Sequence, residues 1–357
     1  MKILFSGGGT LGPVTPLLAL VETIRARSDA ADFEFLWIGT ERGVELPYVR
    51  RAGIPLYTIS SGKLRRYFSL ANLTDFWHII SGVFEARTLL REHRPDVVVT
   101  AGGFVSVPVH IAAWTCGIPS VVHQQDVIVG LANRIMSWFA TRITVSIDDH
   151  LKKFNPKKTV LTGNPVRPSM FAGSEERGRE IFKLQSDRAT IFVFGGGTGS
   201  DTINRATQQL VRESLGMFQI IHLTGTNRTQ SDVSDPFYHP YPFFIGEMAD
   251  AYAVADVIVG RAGFNTISEV AAVGKPSILI PMYGSHQEAN AAWAARQGAA
   301  RVVSDMELSS ERLMDEIRGI LENEEVYKKM SDAAAVLFPR GAAERIIEEI
   351  GLSLRKK

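Results

Sequence analysis

The sequence predicts an α/β protein made of two similar Rossmann-like domains, each a parallel β-sheet covered by helices. Strand and helix patterns alternate along most of the chain, which is typical of right-handed β-α-β crossovers. A strand, a glycine loop and a helix occupy residues 3–27, and the same order returns at residues 190–214. The length of 357 residues also suits two domains of ordinary size. We therefore expect two lobes whose strand ends face each other across a cleft.

Composition narrows the class of protein. The chain is 45% hydrophobic and 22% charged, as expected of a globular protein. Its net charge of +1 argues against a general nucleic-acid binder. The single cysteine, Cys116, excludes an intramolecular disulfide and suits a reducing compartment. We expect no secretory leader, because the first residues turn into a glycine loop too soon, and no membrane-spanning helix, because the chain lacks an apolar run of about 18 residues.

The first predicted domain begins with a strand at residues 2–6, a glycine loop and a helix at about residues 14–27. The loop satisfies G-x-G-x-x-G, which alone is weak evidence for a dinucleotide. Such a site would need an acid after the next strand, at residues 33–38, where Glu41 is a poor candidate. Later strands are predicted at residues 96–100, 120–123 and 142–146. Ligands bind at the carboxyl ends of parallel strands, so three segments should share one rim: Gly7–Gly12, Gly102–Ser106 and His123–Asp126.

Residues 63–80 combine a basic cluster with an aromatic segment. Lys63, Arg65 and Arg66 come first, and apolar side chains follow at roughly helical spacing: Tyr67, Phe68, Leu70, Leu73, Phe76, Trp77 and Ile80. Basic and aromatic side chains in this order favour an anionic membrane surface. A core helix behind a solvated basic loop explains the same pattern, and both interpretations stay open.

Gly163-Asn-Pro-Val-Arg-Pro168 has two prolines and no periodicity, which is typical of a linker. We expect an N-terminal domain over residues 1–163 and a C-terminal domain over residues 164–337. A last helix, within about residues 338–357, should pack back on the first domain. The second domain is predicted to hold a helix at residues 201–214 and strands at residues 190–194, 218–223, 242–245, 257–259 and 277–281.

The stretch from Val257 to Glu269 carries the strongest functional pattern. A β-branched run leads into a turn bracketed by Gly260 and Gly263, and then into a helix. Thr266-Ile-Ser-Glu269 has the spacing of a capping box, which predicts a helix start near Thr266. The N-terminus of this helix would suit a phosphate, Arg261 would add a charge, and Glu269 could accept hydrogen bonds from a sugar diol. The plainer interpretation is that Glu269 only caps the helix and Arg261 only lies in solvent.

Taken together and in order, the motifs resemble the MurG family of GT-B glycosyltransferases, family 28. These are inverting enzymes that transfer N-acetylglucosamine from UDP-N-acetylglucosamine to lipid I and form lipid II in peptidoglycan synthesis. The likeness covers about residues 1–310 and rests on these segments: Gly8-Gly-Thr10, Gly102-Gly-Phe-Val-Ser106, Gly117 to Asn133, Thr162-Gly-Asn-Pro-Val-Arg167, Phe244 to Met248, Ala255 to Gly263, Glu269 and His286 to Ala291.

The resemblance implies a donor site on the C-terminal lobe and a lipid-linked acceptor on the N-terminal lobe. It assigns the uracil to Arg167, Phe244 and Ile245, the ribose to Glu269, and the sugar to Gln287 and Asn290. The diphosphate would lie against Arg261 and the Gly195–Ser200 loop, with Gly197, Thr198 and Ser200 as its binding residues. Three further residues would line the acceptor side: Thr10, Gly12 and Asn133.

The resemblance also implies a peripheral enzyme on the cytoplasmic face of the bacterial plasma membrane. Its partners would be UDP-N-acetylglucosamine, the lipid-linked acceptor and an anionic membrane surface, with no nucleic acid. We expect no cofactor and no metal, because no Asp-x-Asp cluster lies near a glycine loop. The sequence does not indicate the acceptor peptide, the lipid length or the oligomeric state.

Departures from the family pattern fall mainly on the acceptor side. The family's Gly-Gly-Thr-Gly-Gly-His is here Gly8-Gly-Thr-Leu-Gly-Pro13, and proline cannot move a proton. The family's His-Glu-Gln-Asn is here His123-Gln-Gln-Asp126. Asp126 and His123 are therefore the candidates for the catalytic base. His123 could instead be a buried strand-end residue, and Asp126 could cap the following helix.

Three rival interpretations of the function stay open. The first is a related GT-B enzyme with another glycolipid or small-molecule acceptor. The second is a Rossmann oxidoreductase, which would need a nicotinamide dinucleotide. The third is a catalytically inactive protein that binds a sugar nucleotide and serves a partner.

Overall fold

A computed structural model describes residues 1–62, 71–197, 199–226, 233–339 and 341–355, with the side chains of residues 71–76 left out. Contacts within the chain group it into two units. The first unit contains Met1–Arg167 and Pro339–Lys357, and the second contains Pro168–Phe338.

The sheet of the first unit has seven parallel strands within the described residues. They are β1 Lys2–Ser6, β2 Glu34–Gly39, β3 Leu56–Thr58, β4 Val97–Thr100, β5 Ser120–Gln124, β6 Arg142–Val145 and β7 Thr159–Leu161. Their order across the sheet is β3-β2-β1-β4-β5-β6-β7. The helices are α1 Thr15–Arg25, α2 Leu46–Arg51, α3 Ala71–His93, α4 Ser106–Thr115 and α5 Leu131–Phe139. All four side chains of β4 are buried, as expected where helices cover both faces of a parallel sheet.

The second unit repeats this architecture with six parallel strands in its described part. They are β8 Thr190–Phe194, β9 Gln219–Leu223, β10 Tyr238–Tyr241, β11 Val257–Gly260, β12 Ser277–Leu279 and β13 Arg301–Val302, in the order β10-β9-β8-β11-β12-β13. The helices are α6 Glu175–Phe182, α7 Asp201–Ser214, α8 Met248–Val254, α9 Phe264–Val273, α10 Gln287–Arg296, α11 Ser310–Leu321 and α12 Glu324–Ala335. The predicted pair of Rossmann-like parallel sheets is confirmed.

A last helix, α13 Ala342–Leu354, belongs to the first unit. Its residues Ile346 and Ile350 are fully buried in the same core cluster as β1 and α1. Arg345 donates from Nε and Nη2 to the carbonyl oxygen of Thr162, at 3.2 and 2.8 Å. The segment that follows β7 is therefore held by a helix encoded far along the chain.

The strand predicted at residues 242–245 is wrong. The strand is β10, four residues earlier, and Pro242 to Ile245 form the loop that follows it. Pro240 lies inside β10 and cannot donate to a neighbouring strand. A proline is tolerated there because, within the described residues, β10 is an edge strand whose one neighbour is β9.

Candidate functional site

Each sheet has one point where the order of its strands reverses, and ligands of such sheets bind in the crevice at that point. In the first unit it lies between β1 and β4, and in the second between β8 and β11. The register of the second sheet pairs Phe194 with Gly260. The loop from Gly195 to Ser200 and the turn from Arg261 to Gly263 therefore begin side by side.

The glycine loop of the second unit turns sharply into α7. Gly196 and Gly199 have φ of 83° and 74°, a region that favours glycine. A Cβ on Gly195 would lie 2.3 Å from the backbone nitrogen of Ser200, so no side chain fits there. Ser200 is the N-cap of α7, and its hydroxyl accepts from the backbone N–H of Ile203. Of the remaining predicted loop residues, Gly197 is exposed and Thr198 lies outside the described residues.

Arg261 is buried and hydrogen-bonded, so the plainer interpretation that it only lies in solvent is wrong. The residue is only 8% exposed. Its Nη1 donates to Asp305 Oδ1 at 2.7 Å and to the carbonyl oxygen of Ile280 at 3.2 Å. Its Nη2 donates to Ser200 Oγ at 2.6 Å. The structure thus brings together two predicted diphosphate residues, and it adds Asp305, which the sequence did not single out.

The predicted capping box is wrong. Helix α9 begins at Phe264, with Gly263 as its N-cap and no side-chain capping bond, so Thr266 already lies inside the first turn. The helix starts two residues before the predicted Thr266, because Gly263, which is extended with ψ of 141°, serves as its N-cap soon after β11 ends at Gly260. Glu269 therefore lies in the second turn, where its Oε2 accepts from the hydroxyl of Tyr252 at 3.0 Å. Tyr252 is buried and holds this half-buried carboxylate in place.

The two predicted sugar residues have different surroundings. Gln287 is half-buried, and its Oε1 accepts from the backbone N–H of Met282 at 3.1 Å. Asn290 is fully buried, and its Nδ2 donates to the carbonyl oxygen of Ala262 at 3.2 Å. Asn290 therefore stabilises the turn before α9 from within the protein interior.

The predicted uracil residues are also distinct in their surroundings. Phe244 packs into an aromatic cluster, with ring centroids 5.4 Å from Phe182 and 5.5 Å from Tyr241. Ile245 is 63% exposed. Arg167 is the last residue of the first unit and is half-buried.

In the first unit, the loop after β1 rests on a buried carboxylate that the sequence did not indicate. Glu45 is fully buried, and its Oε2 accepts from the backbone N–H of Gly9 at 3.1 Å. Its Oε1 accepts from the backbone N–H and the hydroxyl of Thr40, at 2.7 and 2.6 Å. Glu41, the candidate acid for a dinucleotide, is exposed instead. The sequence alone does not separate Glu45 from Glu41, because only the fold shows which of the two carboxylates is buried against the glycine loop.

The other predicted residues of this loop lie near the end of β5. Thr10 is exposed and Gly12 is half-buried. A Cβ on Gly12 would lie 3.6 Å from Thr10 Oγ1 and 3.8 Å from Gln125 Nε2. The loop after β1 and the loop after β5 are therefore neighbours, as the shared rim predicts.

His123 is a buried strand-end residue with both ring nitrogens engaged. Nδ1 lies 3.0 Å from Thr144 Oγ1, and Nε2 lies 3.0 Å from Asn164 Oδ1. Because an amide oxygen only accepts, Nε2 carries the proton and Nδ1 accepts from the threonine. Burial lowers the pKa of His123 to about 4, so the ring is neutral at pH 7.

Asp126 is half-buried in a loop that is fixed through its backbone. Gln124 Nε2 donates to the carbonyl oxygen of Asp126 at 2.6 Å. Asn133, a predicted acceptor residue, is buried and donates from Nδ2 to Gln124 Oε1 at 2.7 Å. On the other side, His150 Nε2 donates to the carbonyl oxygen of Val127 at 3.2 Å. Asn133 thus orders the loop that carries Asp126.

Residues 63–70 of the predicted membrane segment lie outside the described residues, and so do the side chains of residues 71–76. The helix that follows, α3, exposes Trp77 and Phe84 at 64% and 66%. These residues are seven positions apart and share one face of the helix. Nowhere in the described ranges is a helix long and apolar enough to cross a bilayer. The same ranges contain no group of three or more His, Cys, Asp or Glu residues arranged for a metal ion.

Family models, sequence relatives and a solved structure all indicate similarity to the same family of glycosyltransferases. The model of the glycosyltransferase family 28 N-terminal domain matches residues 3–145, and that of the family 28 C-terminal domain matches residues 190–346. The chain is 38% identical to the UDP-N-acetylglucosamine--N-acetylmuramyl-(pentapeptide) pyrophosphoryl-undecaprenol N-acetylglucosamine transferase of Clostridium perfringens, over 91% of this chain and 92% of the relative. It is 34% identical to the protein of the same name from Clostridium kluyveri, over 98% of each chain. Among solved structures, Acinetobacter baumannii MurG matches with a TM-score of 0.75 and 23% identity, covering 98% of this chain and 99% of that one.

Proposed function

The chain belongs to glycosyltransferase family 28, and from this we infer that it transfers N-acetylglucosamine from UDP-N-acetylglucosamine to a lipid-linked muramoyl-pentapeptide, converting lipid I to lipid II. The observation that carries the inference is the strand-reversal point of the second sheet. At that point Arg261 binds Ser200 at the start of α7, next to the start of α9. The relatives of this chain are named for this reaction.

We propose that the second unit binds the donor and the first binds the acceptor. Glu269 supports the donor assignment, because its carboxylate is oriented by Tyr252 and is not part of a capping box. A carboxylate accepts only, which suits the hydroxyl groups of a ribose. Ile245 offers an exposed apolar side chain to a uracil ring, and Phe244 supports it from the aromatic cluster.

Departure of UDP requires stabilisation of negative charge on the diphosphate. The N-termini of α7 and α9 both lie at the strand-reversal point, and each offers backbone N–H groups and the positive end of a helix dipole. Arg261 is ion-paired with Asp305, so the site meets the diphosphate mainly with oriented dipoles. Gln287 would address the sugar, and Asn290 would hold the turn before α9.

Transfer to the acceptor hydroxyl also requires a base. We propose Asp126 for this role. His123 is a poor candidate, because it is buried, both ring nitrogens are bonded, and its pKa lies near 4. Asp126 is half-buried beside the loop after β1, where proline replaces the histidine of the family pattern. The carbonyl oxygens of Asp126 and Val127 accept hydrogen bonds from Gln124 and His150, which fixes the position of this loop on the rim.

We further propose that the first unit docks peripherally on an anionic membrane surface at the cytoplasmic face. Trp77 and Phe84 support this, because two large aromatic side chains on one helix face would lie in water otherwise. The basic residues Lys63, Arg65 and Arg66 come just before this helix in the sequence. Docking there would bring a lipid-linked acceptor to the rim of the first sheet.

Radiolabelled transfer tests the proposed reaction. The purified protein is incubated with UDP-[14C]N-acetylglucosamine and either lipid I or a panel of other glycolipid and small-molecule acceptors. We expect label in lipid II alone. Label on another acceptor with none on lipid I would favour a related glycosyltransferase. If no acceptor becomes labelled, an inactive protein that binds a sugar nucleotide would be favoured.

A further inference from the structure

We propose that Asp305 is a positioning residue for the diphosphate of the sugar nucleotide, acting through Arg261 on the hydroxyl of Ser200. The proposal rests on the donor function inferred above and assigns a role within that site. Asp305 belongs to the loop between β13 and α11, and Ser200 belongs to the loop between β8 and α7. Arg261 lies between them and binds both.

Asp305, Arg261 and Ser200 form a relay of short hydrogen bonds that is largely shielded from solvent. Arg261 Nη1 donates to Asp305 Oδ1 at 2.7 Å, and Nη2 donates to Ser200 Oγ at 2.6 Å. The side chains of Arg261 and Asp305 are 10% and 18% exposed, and Ser200 is 5% exposed. Because the guanidinium is planar, an anchor on Nη1 also fixes the direction of Nη2.

The hydrogen-bonding capacity of Ser200 determines where its proton points. A hydroxyl accepts at two lone pairs and donates once. Ser200 Oγ accepts from Arg261 Nη2 and from the backbone N–H of Ile203, which uses both lone pairs. Within the described residues, these two contacts leave the O–H group of Ser200 to donate a hydrogen bond at the N-terminus of α7. A phosphate oxygen, which can only accept, is the chemical partner that fits.

The ion pair between Arg261 and Asp305 also determines the net charge beside Ser200. Asp305 cancels the charge of Arg261 within the protein, so Arg261 serves to aim the hydroxyl more than to attract an anion. Loss of the carboxylate would leave Nη1 only its longer bond to the carbonyl oxygen of Ile280, at 3.2 Å, and would let the guanidinium turn away from Ser200. An amide at residue 305 would keep an acceptor oxygen in the same place, so Asp305→Asn should preserve the orientation while Asp305→Ala should not.

Calorimetry on the full chain, with UDP and uridine as probes, tests the proposal. Uridine lacks the diphosphate and reports only on the nucleoside part of the site. For Asp305→Ala we expect UDP affinity to fall about tenfold, the scale of one hydrogen bond to a charged group, and uridine affinity to stay within about twofold. Asp305→Asn should keep UDP affinity within about threefold. Asp315→Ala, at an exposed aspartate of α11, is the matched control.

A double-mutant cycle identifies the route of the effect. If Asp305 acts through Ser200, then Asp305→Ala should cost less than about twofold in a Ser200→Ala background, since coupled residues are not additive. Additive losses would overturn the relay. Equal losses of UDP and uridine would show a merely structural role, and an unchanged UDP affinity in Asp305→Ala would refute the positioning role. If the parent protein binds uridine no more weakly than UDP, the donor proposal itself fails.

Discussion

Replacing Glu269 by alanine should weaken UDP binding through the ribose. The carboxylate is half-buried, and its Oε2 already accepts from the hydroxyl of Tyr252 at 3.0 Å, so its orientation is set before the ligand arrives. A hydrogen bond to a charged group contributes about 1.5–3 kcal/mol, which corresponds to about 10- to 150-fold in affinity. Tyr252→Phe keeps the ring and removes only the orienting hydroxyl, so its loss should be smaller, about 2- to 10-fold.

Calorimetry with UDP and 2′-deoxy-UDP separates a ribose contact from general damage to the site. If Glu269 binds the 2′-hydroxyl, the Glu269→Ala variant should lose much less affinity for the deoxy nucleotide than for UDP. Glu325→Ala is the matched control, because that side chain is 75% exposed and paired with Lys329. The ribose assignment is refuted by unchanged UDP affinity in a variant that melts like the parent, and equal losses for the two nucleotides would refute a contact with the 2′-hydroxyl.

Three further predictions concern the base, the membrane and acid stability. Asp126→Asn should lower kcat in the transfer assay about 100-fold with UDP affinity unchanged, and full activity would exclude it as the base. Trp77→Ser combined with Phe84→Ser should reduce co-sedimentation with anionic vesicles, whereas Phe171→Ser, at a residue 62% exposed in the second unit, should not. Burial lowers the pKa of His123 to about 4, so the folded form resists the proton that the unfolded chain takes up below about pH 6.5. Stability should therefore fall as the pH drops from about 6.5 towards 4, by about 2 kcal/mol at pH 5 for this histidine, and a pH-independent urea midpoint would contradict this.

The sequence predicted the architecture well because its signals are local. Buried β-branched runs such as Val257 to Val259, each followed by a glycine turn, specify parallel strands. The linker at Gly163 to Pro168 and the final helix were also visible, since prolines and apolar periodicity need no tertiary information. The strand at residues 242–245 was misplaced because Pro240 argued against a strand, and only its place at the sheet edge makes that proline acceptable.

Contacts distant in sequence could not be predicted in the same way. Arg261 meets Asp305 across 44 positions and Ser200 across 61, so nothing in its own neighbourhood indicates an ion pair. Glu45 is distinguishable from Glu41 only by its burial against Gly9. Tyr252 is likewise an ordinary residue of α8 until the fold places it against Glu269. Motifs indicated the candidate site residues, but they did not indicate the side chains that hold those residues in place.

The return of α13 to the first unit has a consequence for synthesis on the ribosome. The core around β1 and α1 includes Ile346 and Ile350, so that core stays incomplete until α13 has emerged. Roughly 175 residues separate Arg167 from Ala342, and translation at about 5–20 residues per second leaves a delay of about 9–35 s. Throughout that interval the nascent first unit lacks the helix that covers part of its core, whereas the second unit, Pro168–Phe338, is complete in sequence before α13 is made. The unit made first is therefore the one that finishes last, and it is the one that nascent-chain chaperones would have to shelter.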